Sequence, residues 1–152
     1  MSSYLTFYLV PKKTRTKYKD DDTSEEIEVT KGEPLALLSY SRNSSIYQVI
    51  NGELHPPFIG MGEETHYMEL TTQKMDEVIR SYQWELKKSE KLYNNKLEVI
   101  GKVGEKSYIQ DLIDDKELLD EMEATMTTLQ YLRSLVEEVT YSDFEKVLIN
   151  ID

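Results

Sequence analysis

Residues 71–104, TTQKMDEVIRSYQWELKKSEKLYNNKLEVIGKVG, decide how the rest of the chain is read. No glycine or proline interrupts them before Gly101. Met75, Ile79, Tyr82, Leu86, Tyr93, Leu97 and Ile100 fall on one stripe of a helix. Thr71 and Thr72 both suit an N-cap, with Asp76 and Glu77 early enough to favour the positive helix end. From 72 to 100 such a helix is about 44 Å long. Gly101-Lys102-Val103-Gly104 is expected to break it.

A second stripe follows from Ser107: Leu112, Leu119, Met122, Met126, Leu129, Leu132, Val136 and Val139, ending near Thr140. Two long amphipathic helices across a short break pack antiparallel, because each stripe needs cover and the other is nearest. Charge points the same way. Residues 71–104 hold seven basic and five acidic residues (+2), whereas 105–152 hold four and thirteen (−9). Facing basic and acidic flanks select this pairing and oppose self-pairing of the acidic helix.

Upstream, residues 4–10 are apolar at nearly every position, which predicts a strand covered on both faces, with Pro11 at its end. Residues 35–41 read as a second core strand and 66–70 as a short one. Asn43 or Ser44 caps a short helix carrying Ile46, Tyr47, Val49 and Ile50, stopped by Asn51-Gly52. Residues 12–30 alternate, with basic and acidic runs around Asp20-Asp21-Asp22, and read either as a charged β-ribbon or as a disordered loop. Phe144 to Ile151 is a closing strand.

The fold expected is α+β, with residues 1–152 as a single domain. Residues 1–70 are mostly β and 71–140 a long helical hairpin. A small, mainly antiparallel four-stranded sheet (4–10, 35–41, 66–70, 144–151) packs against that hairpin in two layers. Both termini lie in strands.

Composition bounds function by exclusion. There is no cysteine, so thiolate metal sites and cysteine nucleophiles are out. A net charge of −11 argues against direct nucleic-acid binding. No run approaches the ~18 apolar residues of a membrane span. The opening apolar run lacks the flanks of a signal peptide, so a soluble cytoplasmic protein is expected. Walker, GxGxxG and GxSxG patterns are missing, and no cofactor is implied.

Three groups of residues invite a chemical reading. His55 and His66, with Glu63 and Glu64 between them, are metal-ligand types, but nothing in their spacing fixes a geometry. Asp111, Asp114 and Asp115 share a helix face, and Glu117 and Asp120 follow at three-residue steps. Asp111, Asp114, Glu117 and Asp120 resemble the carboxylates of helical nucleotide pyrophosphatases, which implies magnesium-dependent hydrolysis. That family also needs a Glu-x-x-Glu on the facing helix, where this chain has Lys87, Lys88 and Lys91. A solvated acidic face is the alternative. Third come apolar residues of uncertain placement. Trp84 falls off the stripe, either packed on the sheet or free for a partner. The Phe58, Ile59, Met61 loop either tucks under the sheet or forms a contact patch.

The leading function expected is therefore a non-enzymatic interaction or assembly protein that self-associates or binds another protein. Its contact candidates are Phe58, Ile59, Met61, Trp84, Asp111, Asp114 and Asp115. Small size and Lys/Tyr/Asn/Ile usage resemble phage accessory proteins in composition. The alternatives are an acidic inhibitor of a basic, nucleic-acid-binding surface, and the metal-dependent hydrolase.

Overall fold

A computed structural model describes residues 3–12, 33–59, 65–103 and 107–152. Apart from Lys12, the charged segment at 12–30 lies outside these residues, as do Met61, Glu63 and Glu64. The elements are β1 (Tyr4–Pro11), β2 (Leu35–Ser41), α1 (Ser45–Leu54), β3 (Met68–Leu70), α2 (Thr72–Val103), α3 (Ser107–Val139) and β4 (Phe144–Ile151). The fold is α+β. Four antiparallel strands in the order β2-β1-β4-β3 form one layer, and α2 and α3 pack together above it.

The two central strands come from opposite ends of the chain, with Leu5 opposite Ile151 and Leu9 opposite Val147. Leu5 and Phe7 of β1, and Val147, Ile149 and Ile151 of β4, turn into the core shared with the helices. The intervening residues take the other face because strand side chains alternate. There Thr6 pairs with Asn150 across the strands, and both are buried. Pro11, which has no N–H to give, closes β1 after a register shift.

Three boundaries differ from expectation. The short helix runs through Asn51-Gly52 and stops at His55, whose left-handed backbone (φ 50°) sends its N–H to the Asn51 carbonyl. Continuing for that half-turn packs Leu54 against the core. Gly101 does not break α2, which carries on to Val103. One glycine costs a helix only about 1 kcal/mol, which a helix of this length absorbs. β3 starts at Met68 rather than His66, because that stretch of β4's edge is already occupied. Phe58 bridges Ile151 there, the Ile59 N–H donates to the Ile151 carbonyl (2.7 Å), and the Ile151 N–H donates to Pro57 (2.9 Å).

β2 is also corrected, from a core strand to an edge strand. Only Leu38 and Tyr40 pack against the core, and Leu35 and Leu37 are exposed. Phe7 pairs with Leu38 and Tyr8 with Ala36, so Leu37 is the extra residue of a bulge.

The helix caps follow local chemistry. Ser44 Oγ accepts from the Tyr47 N–H (3.2 Å) and Thr71 Oγ1 from the Lys74 N–H (3.2 Å), which makes Thr71 rather than Thr72 the cap of α2. Asp76 is not in the first turn of that helix. It accepts instead from Arg133 Nε of α3 at 2.6 Å, and Arg133 Nη1 also reaches Glu137 at 2.8 Å. Here the acidic group belongs to α2 and the basic one to α3, the reverse of the expected sense. The expected sense holds further along, where Lys96 of α2 meets Asp115 of α3 at 2.5 Å.

Candidate functional site in the outer half of the hairpin

The hairpin has two halves with different surroundings. In the half nearer the sheet, Met75 and Val78 of α2 and Leu129, Leu132, Val136 and Val139 of α3 are buried in the main core. Val78 lies off the stripe read from the sequence, and it is buried with the α1 residues Ile46, Tyr47 and Ile50 in that same core. Helix α1 sits against α2, with Val49, Gly52 and Glu53 facing Ser81, Tyr82 and Glu85. Ser81 Oγ donates to Glu53 Oε1 at 2.6 Å.

Past α1 a second, smaller core of Leu86, Leu119 and Met126 joins the two helices, with Tyr82, Tyr93 and Met122 packed beside it. Beyond it, among the described residues, the two helices have only each other for cover. Leu92, Leu97 and Val99 of α2 and Ile109, Ile113 and Leu118 of α3 are all exposed, Leu92 at 57% and Leu118 at 54%.

Helical spacing shows which face this is. Ser81, Glu85, Ser89, Leu92 and Lys96 step by four, four, three and four along α2, so Leu92 and Lys96 continue the row that α1 covers. On α3, Asp111, Asp115 and Leu118 continue the row of the buried Thr125 and Leu129 by the same steps. The two rows meet in a shallow groove of about 150 Å³ lined by Ser89, Leu92, Tyr93, Lys96, Asp115, Leu118 and Leu119.

The electrostatics of the groove are lopsided. Lys96 is engaged by Asp115, whose hydrogen bond raises the lysine's pKa, with the Asp115 and Asp111 charges adding to it. Lys116 holds Asp120 at 3.2 Å and stands over the Tyr93 ring, and its pKa is raised first by the Asp120 hydrogen bond. Asp114 accepts from Gln110 Nε2 (3.1 Å). Among the described residues, Asp111, Asp114, Glu117 and Glu121 form no ion pair. The lysine that lines the groove is thus engaged and its α3 border is acidic, whereas the α2 side carries the exposed Lys88 and Lys91.

Of the sequence candidates, Asp111, Asp114 and Asp115 lie on this part of α3, and Asp115 lines the groove itself. Trp84 is resolved as exposed (71%), on α2 just before the groove. Phe58 is exposed (64%) and Ile59 half-buried, and at these two residues the chain lies along the sheet edge by its backbone. Met61 is outside the described residues. Leu92, Val99 and Leu118, exposed apolar residues of the helices, were not singled out from the sequence. Their signal was available, since each interrupts the polar side of its helix.

The carboxylates of the hydrolase reading do not converge. Asp120 is paired to Lys116, and the facing helix brings Lys96, a cation, to Asp115. Among the described residues no three histidine, aspartate or glutamate side chains are grouped to hold a metal. His55 caps α1, and His66 gives its carbonyl to Asn150 Nδ2 (3.3 Å). No helix among the described residues is long and apolar enough to cross a membrane. Comparison with protein-family models, with curated proteins and with solved structures gave no match to this chain.

Proposed function

We propose that this protein is a contact or assembly protein, acting by binding another polypeptide through the outer half of its hairpin. One observation carries the reading. Two large apolar side chains, Leu92 and Leu118, stay exposed on rows of the two helices that are covered nearer the sheet, and with Tyr93 and Leu119 they line one groove. Scattered apolar residues on a surface need no explanation, but a cluster continuing a packed face is the usual mark of an interface.

The chain has no cysteine, so single-cysteine photo-crosslinking tests this directly. A probe at Leu92 is expected to give one adduct of defined mass in an extract of the native host, at twice the chain mass if the partner is a second copy. A control probe at Tyr141, exposed but remote from the hairpin's outer half, is expected to give none. Equal labelling at both positions, or at neither, would count against the reading.

A second reading, the acidic inhibitor of a basic protein surface, is favoured by the exposed carboxylates of α3. It expects binding that weakens steeply with salt, since exposed charges are screened within about 8 Å at physiological ionic strength. Salt-independent binding would remove it.

A further inference from the structure

We infer that the groove between Leu92 and Leu118 takes one amphipathic helix of a partner protein, apolar on its inner face and basic along the flank that meets α3. The inference rests on the contact-protein reading above and specifies the partner.

The kind of occupant is shown by the molecule itself. Over Ser81, Tyr82 and Glu85 the hairpin already carries a third helix, α1, which turns Ile46, Tyr47 and Ile50 inward. Ser89, Leu92 and Lys96 prolong the same row with no described residue over it, so a helix laid there covers the row that α1 covers nearer the sheet. Its apolar residues at three- and four-residue steps would meet Leu92, Tyr93 and Leu118. The chemistry of that flank follows from charge. Lys96 is engaged by Asp115, whereas Asp111, Asp114 and Glu121 on the α3 border have no ion-pair partner among the described residues. Lysine or arginine on the occupant answers them.

A second copy fits less well. The sheet and α1 stand on the groove's own face, so two copies can approach there only with their hairpins running in opposite directions. That two-fold arrangement lays α3 on α3, acidic border against acidic border.

The experiment uses the full chain and two labelled synthetic 16-residue helical peptides with the same leucine stripe, one with Lys and Arg along one flank of it, the other with Glu there. The basic peptide is expected to bind at least ~10-fold more tightly than the acidic one. Leu92→Ala with Leu118→Ala keeps every charge and is expected to weaken that binding at least ~10-fold. Asp111→Asn with Asp114→Asn is expected to flatten its salt dependence. Both pairs are exposed, and unchanged circular dichroism verifies folding. Equal affinity for the two peptides, binding untouched by the leucine changes, or no binding overturns the inference. Sedimentation revealing a dimer that the leucine changes dissociate would also overturn it, assigning the groove to a second copy while leaving the contact-protein reading intact.

Discussion

At the scale of single residues, the informative positions are those where chemistry and surroundings disagree. Gly52 lies inside α1 with open space where a Cβ would stand, so it adds backbone entropy to the unfolded state without serving the packing. Gly52→Ala is expected to stabilise the protein by about 0.5–1 kcal/mol, read by urea denaturation. Asn150 is fully buried. Its Nδ2 donates to the His66 carbonyl, and its Oδ1 has no partner among the described residues. Asn150→Asp would place an unpaired carboxylate there, with an expected loss of about 3 kcal/mol or more at neutral pH. Burial favours the protonated acid, so this variant's deficit shrinks as pH falls and grows as it rises. A loss independent of pH would show that the site is wetter than its burial indicates. Neither position could be read from the sequence. Asn51-Gly52 has the composition of a stop signal, and only the packing of Leu54 reveals that the helix passes it.

At the scale of elements, the hairpin was legible and its environment was not. Periodicity located both helices, and glycine content placed the turn within three residues. Charge segregation anticipated the Lys96–Asp115 contact but not the reversed Asp76–Arg133 pair, because net charge over thirty residues says nothing about one turn. Equally, a stripe tells which side of a helix wants cover, not where along its length the cover ends. That is why Leu97, on the stripe, is exposed, whereas Val78, off it, is buried under α1. The two halves should respond differently to truncation. Leu129→Ala, in the main core, is expected to cost about 2–5 kcal/mol. Leu118→Ala, in the groove, is expected to stay within about 0.5 kcal/mol. Thermal unfolding of the two variants side by side checks this, and comparable losses would mean that the outer half is already part of the core.

At the scale of the whole molecule, three tyrosines report on packing. Burial raises the pKa of Tyr40, Tyr67 and Tyr82, aided for Tyr40 by Tyr131 and for Tyr67 by Tyr8 and Glu33. A phenol whose folded pKa is raised stays neutral in the native state while the unfolded chain ionises. Its contribution is therefore complete below the ordinary tyrosine pKa near 10 and is lost as pH climbs through the folded value. Alkaline unfolding is expected to begin above about pH 10. In a spectrophotometric titration, some tyrosines should ionise only with that transition. A single titration of all tyrosines near their ordinary pKa, with the fold intact, would contradict this.

The pairing of β1 with β4 has a consequence for how the chain folds. Tyr4 and Asp152 exchange backbone hydrogen bonds of 3.0 Å each way, so the centre of the sheet is closed by residues almost the full chain length apart. Until residues 144–151 emerge from the ribosome, β1 and β2 can form only a two-stranded pair open at both edges, and β3 lacks the strand it pairs with. The helical hairpin is local and needs no such wait. Synthesis would therefore pass through a helical, half-assembled species whose apolar strand Tyr4–Val10 has no permanent neighbour. A chain stopped at Asp143 is expected to keep helical circular dichroism, lose cooperative melting and aggregate. Assembly of the sheet thus waits for residues 144–151, and a chaperone would have most to do in the seconds before they appear.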